Sequence, residues 1–205
     1  MAVRRRVPAL AIVGLLALVA VACSETDGRT LPPATGQPSS TTSSVPSIQP
    51  PTGDLGVFTL RSTGFADGGV IPPELTCTGA SVSPALSWTG TPVDATSLAL
   101  VVRDRNAGGF VHWVVTGIDP FVQGIGEGGV PENAVEGPNG AGTVGWIGPC
   151  PPAGSGTHTY EVALLALPGV VELPPDATGE QAASLLEASA MERAVLTGTV
   201  AAGGG

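Results

Sequence analysis

The chain has 205 residues, of which 30 are glycine and 20 are proline, and it contains no lysine. Its eight arginines and 17 acidic residues give a net charge of −9, which argues against nucleic acid as a partner. Such an acidic balance promotes solubility and repels anionic surfaces, but it says little about the fold.

Residues 1–22 have the pattern of an export signal. Residues 4–6 form a basic head, and the apolar run 9–21 is too short to span a bilayer comfortably. The run ends in Ala20-Val21-Ala22-Cys23, where small residues precede a cysteine as they do in the bacterial lipoprotein box. We expect cleavage before Cys23 and lipidation of that residue. Ordinary cleavage without lipidation is the alternative.

Residues 23–53 are predicted to form a disordered tether that begins with the lipidated Cys23. They are rich in Pro, Ser, Thr and Gly, with few large apolar side chains, and cannot offset the entropy cost of ordering. A diacyl group would attach the following domain to the cell membrane without a spanning helix. The predicted location is therefore exported, lipid-anchored and facing outside the cytoplasm.

Residues 54–203 suit one domain whose core needs neither a metal nor a partner. Short β-branched or apolar runs between Gly and Pro clusters predict strands at 57–61, 85–88, 97–104, 110–118, 157–167 and 195–200. One helix is predicted, from the capping box of Thr178 and Gln181 to about Glu192. This balance indicates a mostly β domain, sandwich-like or barrel-like, with one or two peripheral helices.

Alternation with a period of two residues predicts which side chains share a face of each strand. On 157–167, His158 and Tyr160 are neighbours on one face. On 110–118, strict alternation groups His112 with Phe110 and Val114.

Asp104 continues an apolar stripe at the end of its strand, where an unpaired buried carboxylate is costly. His112 follows soon after the next turn, so we expect it to be the partner of Asp104. Such a pair fixes the tautomer of the ring and favours its protonated form.

Cys77 and Cys150 follow the tether and are expected to lie outside the cytoplasm, where oxidation persists. They are predicted to form a disulfide. Two buried thiols are the alternative.

Seven short motifs follow one another along the domain. They are Phe58-Thr-Leu60, Thr76-Cys-Thr-Gly79, Ser83-Pro-Ala-Leu-Ser-Trp88, Ser97-Leu-Ala-Leu-Val-Val102, Phe110-Val-His-Trp113, Gly148-Pro-Cys-Pro-Pro152 and His158-Thr-Tyr160. In this order they resemble the phosphatidylethanolamine-binding protein family, from about residue 57 to residue 200. Many bacterial members also use the two cysteine positions.

The resemblance implies a compact, mostly antiparallel β fold with a small anion pocket at one end that holds phosphate-like groups. The ligand-binding residues carried over by motif are Asp104, His112, Gly148, Pro149, His158 and Tyr160. Two imidazoles, a phenol and free backbone N–H groups beside Gly148 are expected to supply the donors.

Residues 104–108 depart from the family pattern, because both prolines and the second aspartate of the usual loop are missing. We expect a looser and less acidic rim, where Arg105 could supply a cation or simply be solvated. Trp146 stands where tyrosine is common before the Gly-Pro-Cys-Pro-Pro motif.

The predicted function is a surface-tethered, non-catalytic binding protein for a small anionic group, without a cofactor or a metal. The alternative is an inhibitor or modulator of an envelope protease or signalling protein, with that partner held through the same pocket. Two weaker hypotheses remain. One is a metal triad of the two histidines and a carboxylate, and the other is a hydrolase built on Ser155, His158 and an acid.

Overall fold

The computed structural model describes residues 56–203. The predicted signal, Cys23 and the tether lie outside the described residues, as do the first two residues of the predicted domain. Within the described part of the chain, no helix is both long and apolar enough to cross a bilayer.

Nine strands form two sheets across residues 56–203. In chain order they are β1 (Thr59–Ser62), β2 (Gly69–Val70), β3 (Leu86–Thr89), β4 (Ser97–Asp104), β5 (Val111–Ile118), β6 (Gly124–Ile125), β7 (Val135–Glu136), β8 (Thr157–Leu167) and β9 (Glu192–Ala201). The smaller sheet has the order β1-β3-β6, and the larger has the order β2-β9-β8-β4-β5-β7. Neighbouring strands are antiparallel except β2 and β9, which are parallel.

The central strands of the larger sheet are buried on both faces. On β4, Leu98, Leu100 and Val102 contribute to the core between the two sheets. The alternate residues Ala99 and Val101 face the other way, toward the one α-helix of the described residues. A strand covered on both faces reads as a continuous apolar run, as residues 97–102 do. The mostly β fold with one peripheral α-helix is therefore confirmed.

The helix α1 spans Gly179–Ser189 and begins at the predicted capping box. The Thr178 hydroxyl accepts a hydrogen bond from the Gln181 N–H, and the Gln181 side chain accepts one from the Thr178 N–H. The predicted end near Glu192 is wrong. Glu192 is already the first residue of β9, where it pairs with Ala166 of β8, so sheet pairing overrides local helix propensity.

Four short elements were not predicted. The strands β2, β6 and β7 have two residues each, too few to show a period. A short 3-10 helix spans Pro73–Leu75, just before Cys77. The three strands depend on pairing with more distant parts of the chain, whereas the 3-10 helix is held by local backbone bonds.

Candidate anion-binding site

Four of the predicted side chains meet at one end of the larger sheet. Asp104 ends β4, His112 lies near the start of β5, and His158 and Tyr160 lie near the start of β8. Because β4 is antiparallel to both neighbours, these three strand ends coincide, and Asp104 is registered opposite Tyr160. We call the space between these four side chains the recess.

The four side chains of the recess are buried. They belong to residues that are only 1 to 5% exposed, with Tyr160 at 1% and both histidines at 5%. Two grooves of about 480 and 470 Å³ lie elsewhere in the domain, and none of the four recess residues lines them.

A β-bulge directs His112 into the recess. Trp113 pairs with Val102, and Val111 pairs with Arg103, so His112 is an extra residue on β5. The His112 ring consequently packs edge-on against Tyr160, with the ring centroids 5.2 Å apart.

The bulge also breaks the predicted alternation on β5. Val111 and Val114 both face the helix, whereas Trp113 lies in the core between the sheets. The predicted grouping of His112 with Val114 is therefore wrong. A period of two residues cannot reveal where one residue is inserted.

The partner of Asp104 is His158, not His112 as expected. One carboxylate oxygen of Asp104 lies 2.6 Å from His158 Nδ1. The other oxygen accepts hydrogen bonds from the N–H groups of Asn106 and Ala107, at 2.8 and 3.1 Å. The carboxylate thus holds one histidine and fixes the turn after β4.

His112 is instead held by a backbone carbonyl. Its Nδ1 lies 2.8 Å from the Ile147 oxygen, which can only accept a hydrogen bond. The proton of neutral His112 therefore sits on Nδ1. In both histidines Nδ1 is occupied by an internal acceptor, which leaves Nε2 as the atom that can meet a ligand.

Burial lowers the pKa of His112 below its ordinary value of 6.5. The Ile147 carbonyl and the charge of Asp104 act in the opposite direction but are weaker. Asp104 therefore favours protonated His112, as expected, but desolvation of the ring outweighs it and the net effect is a lowered pKa.

Tyr160 supplies an unsatisfied phenol. Within residues 56–203, its hydroxyl is buried and has no partner with good hydrogen-bond geometry, although the Asp104 carboxylate and the Cys150 backbone lie close enough to affect its pKa. Burial first, and then the nearby charge of Asp104, raise its pKa far above the ordinary value of 10, so the phenol keeps its proton. A buried hydroxyl without a partner costs about 1–3 kcal/mol, which a ligand that accepts its hydrogen bond would recover.

Trp146 has the second unsatisfied polar atom of the described residues. Its indole N–H is buried without an acceptor, and its ring packs edge-on against Trp113 with the centroids 5.7 Å apart. Trp146 precedes Ile147, whose carbonyl holds His112. The indole N–H therefore belongs to the segment that forms the wall of the recess.

The Gly148–Pro149 backbone does not supply the free donors that were expected. The Gly148 N–H donates to the Ser81 hydroxyl at 3.1 Å. Pro149 has no N–H, and its carbonyl accepts from the Cys77 N–H at 3.0 Å. A Cβ added to Gly148 would lie 2.5 Å from the Ser81 hydroxyl, so the glycine permits close packing of the wall.

The predicted disulfide is confirmed. Cys77 and Cys150 are bonded, with their Cα atoms 5.4 Å apart and a sequence separation of 73 residues. The bond attaches the wall of the recess to the segment that follows the short 3-10 helix.

Arg105 does not point its cation into the recess. Its guanidinium lies 3.3 Å from the Glu161 carboxylate, which also pairs with Arg193 at 2.7 Å. On β8, Glu161 faces away from His158 and Tyr160. The turn keeps specific bonds without the usual prolines, since the Asn106 side chain accepts the Thr159 N–H at 2.8 Å.

The hydrolase and metal hypotheses find no matching geometry in the described part of the chain. The Ser155 hydroxyl donates to the Pro152 carbonyl at 2.7 Å and is not bonded to His158. Across residues 56–203, no group of three or more His, Cys, Asp or Glu side chains is placed to hold a metal ion.

In residues 56–203, two packed and mostly antiparallel sheets, one peripheral helix and the recess at the end of the larger sheet define a β-sandwich type of binding protein. Residues 61–201 match the phosphatidylethanolamine-binding protein family, and the chain belongs to this family.

Similar proteins include bacterial and archaeal members. A protein named as a candidate lipoprotein, LppC of Mycobacterium tuberculosis, is 46% identical over 144 residues, which cover 69% of this chain and 71% of that protein. A UPF0098 protein of Mycobacterium bovis is 40% identical over 197 residues, 93% of this chain and 92% of the relative.

Solved structures share the fold. The Escherichia coli protein YbcL, described as a new member of the mammalian PEBP family, is 28% identical with a TM-score of 0.65. The match covers 69% of this chain and 96% of YbcL. A candidate homologue from Chlamydia trachomatis is 34% identical with a TM-score of 0.62, over 70% of this chain and 96% of that protein.

Proposed function

We propose that the domain binds a small phosphate-like anion in the recess without catalysing a reaction. One observation carries the proposal. Internal acceptors occupy Nδ1 of both His112 and His158, which leaves both Nε2 atoms, while the Tyr160 hydroxyl has no partner in residues 56–203. Three potential donors therefore converge without a protein acceptor to satisfy them.

The charge of Asp104 does not oppose this function. Its carboxylate is paired with His158 Nδ1 at 2.6 Å and so does not face the anion alone. The net positive charge for an anion then comes from His112. Binding therefore requires a proton on His112. The negative charge of the bound anion favours that proton.

The size and chemistry of the recess limit its ligand. Its residues are at most 5% exposed, so one phosphoryl or carboxylate group fits better than a whole lipid. The two cysteines of the domain are joined in a disulfide, and the Ser155 hydroxyl is bonded to a carbonyl. These side chains are therefore not placed as nucleophiles, which supports binding rather than catalysis.

Inorganic phosphate is expected to shift the ring NMR signals of His112 and His158 in the full chain, because both Nε2 atoms would contact it. The substitution His112→Ala should abolish the response of His158. Arg105→Gln is the matched control, since it removes an exposed cation whose partner Glu161 lies on the opposite face. A phosphate response that survives His112→Ala, or no shift at millimolar phosphate, contradicts the proposal.

Acidification is expected to strengthen phosphate binding. It should also lower the free energy of unfolding of the protein without phosphate. The pKa of His112 is lowered in the folded chain. As the pH falls through 6.5, the unfolded chain therefore gains a proton that the folded chain does not, and the free energy of unfolding decreases. Phosphate binds the protonated ring, so its affinity should increase over the same range.

Calorimetric titration with sulfate, which resembles phosphate but keeps its charge between about pH 5 and 8, and urea unfolding without it measure these two trends. His112→Ala should remove the contribution of this ring to the pH dependence of the affinity and to that of the free energy of unfolding. Asp104 and Tyr160 also face the ring, and His158 stacks on Tyr160, so the difference between the two proteins is the relevant quantity. An affinity that increases with pH above 6.5 contradicts the mechanism.

We also propose that the protein is exported and anchored by lipid at Cys23. The sequence before Cys23 and the name of the LppC relative support this proposal. Mass spectrometry of the protein from its host should show an N-terminal Cys23 with added acyl mass. Cys23→Ser should release the protein from membranes, and an unmodified Cys23 would contradict the anchor.

A further inference from the structure

The domain has two distinct ends. The recess lies where β4 ends and where β5 and β8 begin. At the other end, Ser97 begins β4, and its partner Leu167 ends β8. The eight residues of β4 separate the ends by about 26 Å.

The chain enters the domain at the end that lies opposite the recess. Gly56, the first described residue, lines the groove of about 470 Å³ together with residues of the loops 90–95 and 120–123. These loops precede β4 and follow β5. An attachment on the N-terminal side of Gly56 is therefore connected to this end of the domain.

This end carries exposed apolar side chains. Phe121 is 90% exposed, Val57 is 79% exposed and Val93 is 75% exposed. Phe121 and Val93 line the groove itself, and Val57 follows Gly56. We call these three residues the apolar end. A cluster of exposed apolar side chains marks an interaction surface, because it gains free energy when water is removed from it.

We propose that the apolar end rests on the lipid bilayer, with Phe121 inserted, so that the recess faces away from the membrane. This rests on the proposed anchor at Cys23. The 32 residues between Cys23 and Gly56 can span at most about 110 Å, so an anchored domain stays close to the bilayer. Confinement by a tether raises the effective concentration of the bilayer surface near the domain. A modest apolar patch is then enough to keep the domain in contact with the bilayer.

Charge restricts the kind of membrane surface. Asp94 follows Val93, and Asp119 holds the turn before Phe121 by accepting the Phe121 N–H at 2.8 Å. Both carboxylates would face lipid headgroups. The apolar end therefore favours zwitterionic over anionic headgroups, because like charges repel.

The test uses the chain from Cys23 to Gly205, which retains both cores. Since Cys77 and Cys150 are joined, Cys23 is the remaining cysteine for coupling to maleimide lipid in phosphatidylcholine vesicles. Coupling makes the test independent of lipidation in the host. In Phe121→Trp, the fluorescence of the introduced tryptophan should be quenched by brominated acyl chains.

Val144→Trp is the matched control. Val144 is 69% exposed, and it pairs with Pro138 in the segment that contacts the start of β5, near the recess. Quenching above that of the unsubstituted chain should be several-fold stronger for Phe121→Trp than for Val144→Trp. It should decrease when phosphatidylglycerol is added. Equal quenching of the two variants would overturn the proposal, as would a Phe121→Trp emission that is already shifted to the blue without vesicles.

Discussion

Reduction of the Cys77–Cys150 disulfide is expected to lower the free energy of unfolding by about 4 kcal/mol, the value that chain entropy gives for a separation of 73 residues. The bond closes this long loop and restricts the unfolded chain. It also attaches the wall of the recess to the segment after the 3-10 helix, where the Cys77 N–H donates to Pro149. Urea unfolding followed by tryptophan fluorescence, with and without dithiothreitol, measures the loss.

Two variants make the disulfide experiment specific. Cys77→Ser with Cys150→Ser should unfold at the lower midpoint of the reduced chain and no longer respond to dithiothreitol. Cys23→Ser should respond as the unsubstituted chain does. If the unsubstituted chain has the same midpoint in both redox states, the bond does not stabilise the domain.

Asp104→Ala is expected to destabilise the domain by about 3–5 kcal/mol and to abolish phosphate binding. Asp104 is 3% exposed. Its removal leaves His158 Nδ1 and the N–H groups of Asn106 and Ala107 without their acceptor. His158 then loses the partner that orients its ring.

Urea unfolding and phosphate titration of the Asp104 variants measure these effects. Asp104→Asn keeps an oxygen for the turn but not the negative charge, so it should lose less stability than Asp104→Ala and still lose phosphate affinity. Asp119→Ala is the control, because this exposed carboxylate accepts one turn N–H at the other end of the domain. Equal losses of stability for Asp104→Ala and Asp119→Ala would contradict this role of Asp104.

The long elements were predictable because they are long. The strands β4, β5 and β8 have 8 to 11 residues, enough to show apolar runs and alternation. The start of α1 was predictable from two side chains that bond each other's backbone. Its end was not, because Glu192 belongs to a strand that its partner β8 stabilises from a distant part of the sequence.

The members of the recess were predictable, but their pairing was not. His158 and Tyr160 share a face by simple alternation, whereas one inserted residue on β5 decides where His112 points. The acceptor that holds His112 is the carbonyl of Ile147. A backbone oxygen has no signature in the side chains, so reasoning from residue types assigned His112 to the carboxylate of Asp104.

The position of β8 in the larger sheet governs when this fold can form. β8 is paired on both sides, with β4 and with β9, and its Leu167 meets Ser97, 70 residues earlier in the chain. Only the β4–β5 hairpin is local, so most of the sheet must await synthesis of the last third of the chain. Such distant pairings make folding slow, typically milliseconds to seconds. Slow folding of this kind suits the proposed export, because the nascent chain stays unfolded while its N-terminus is engaged.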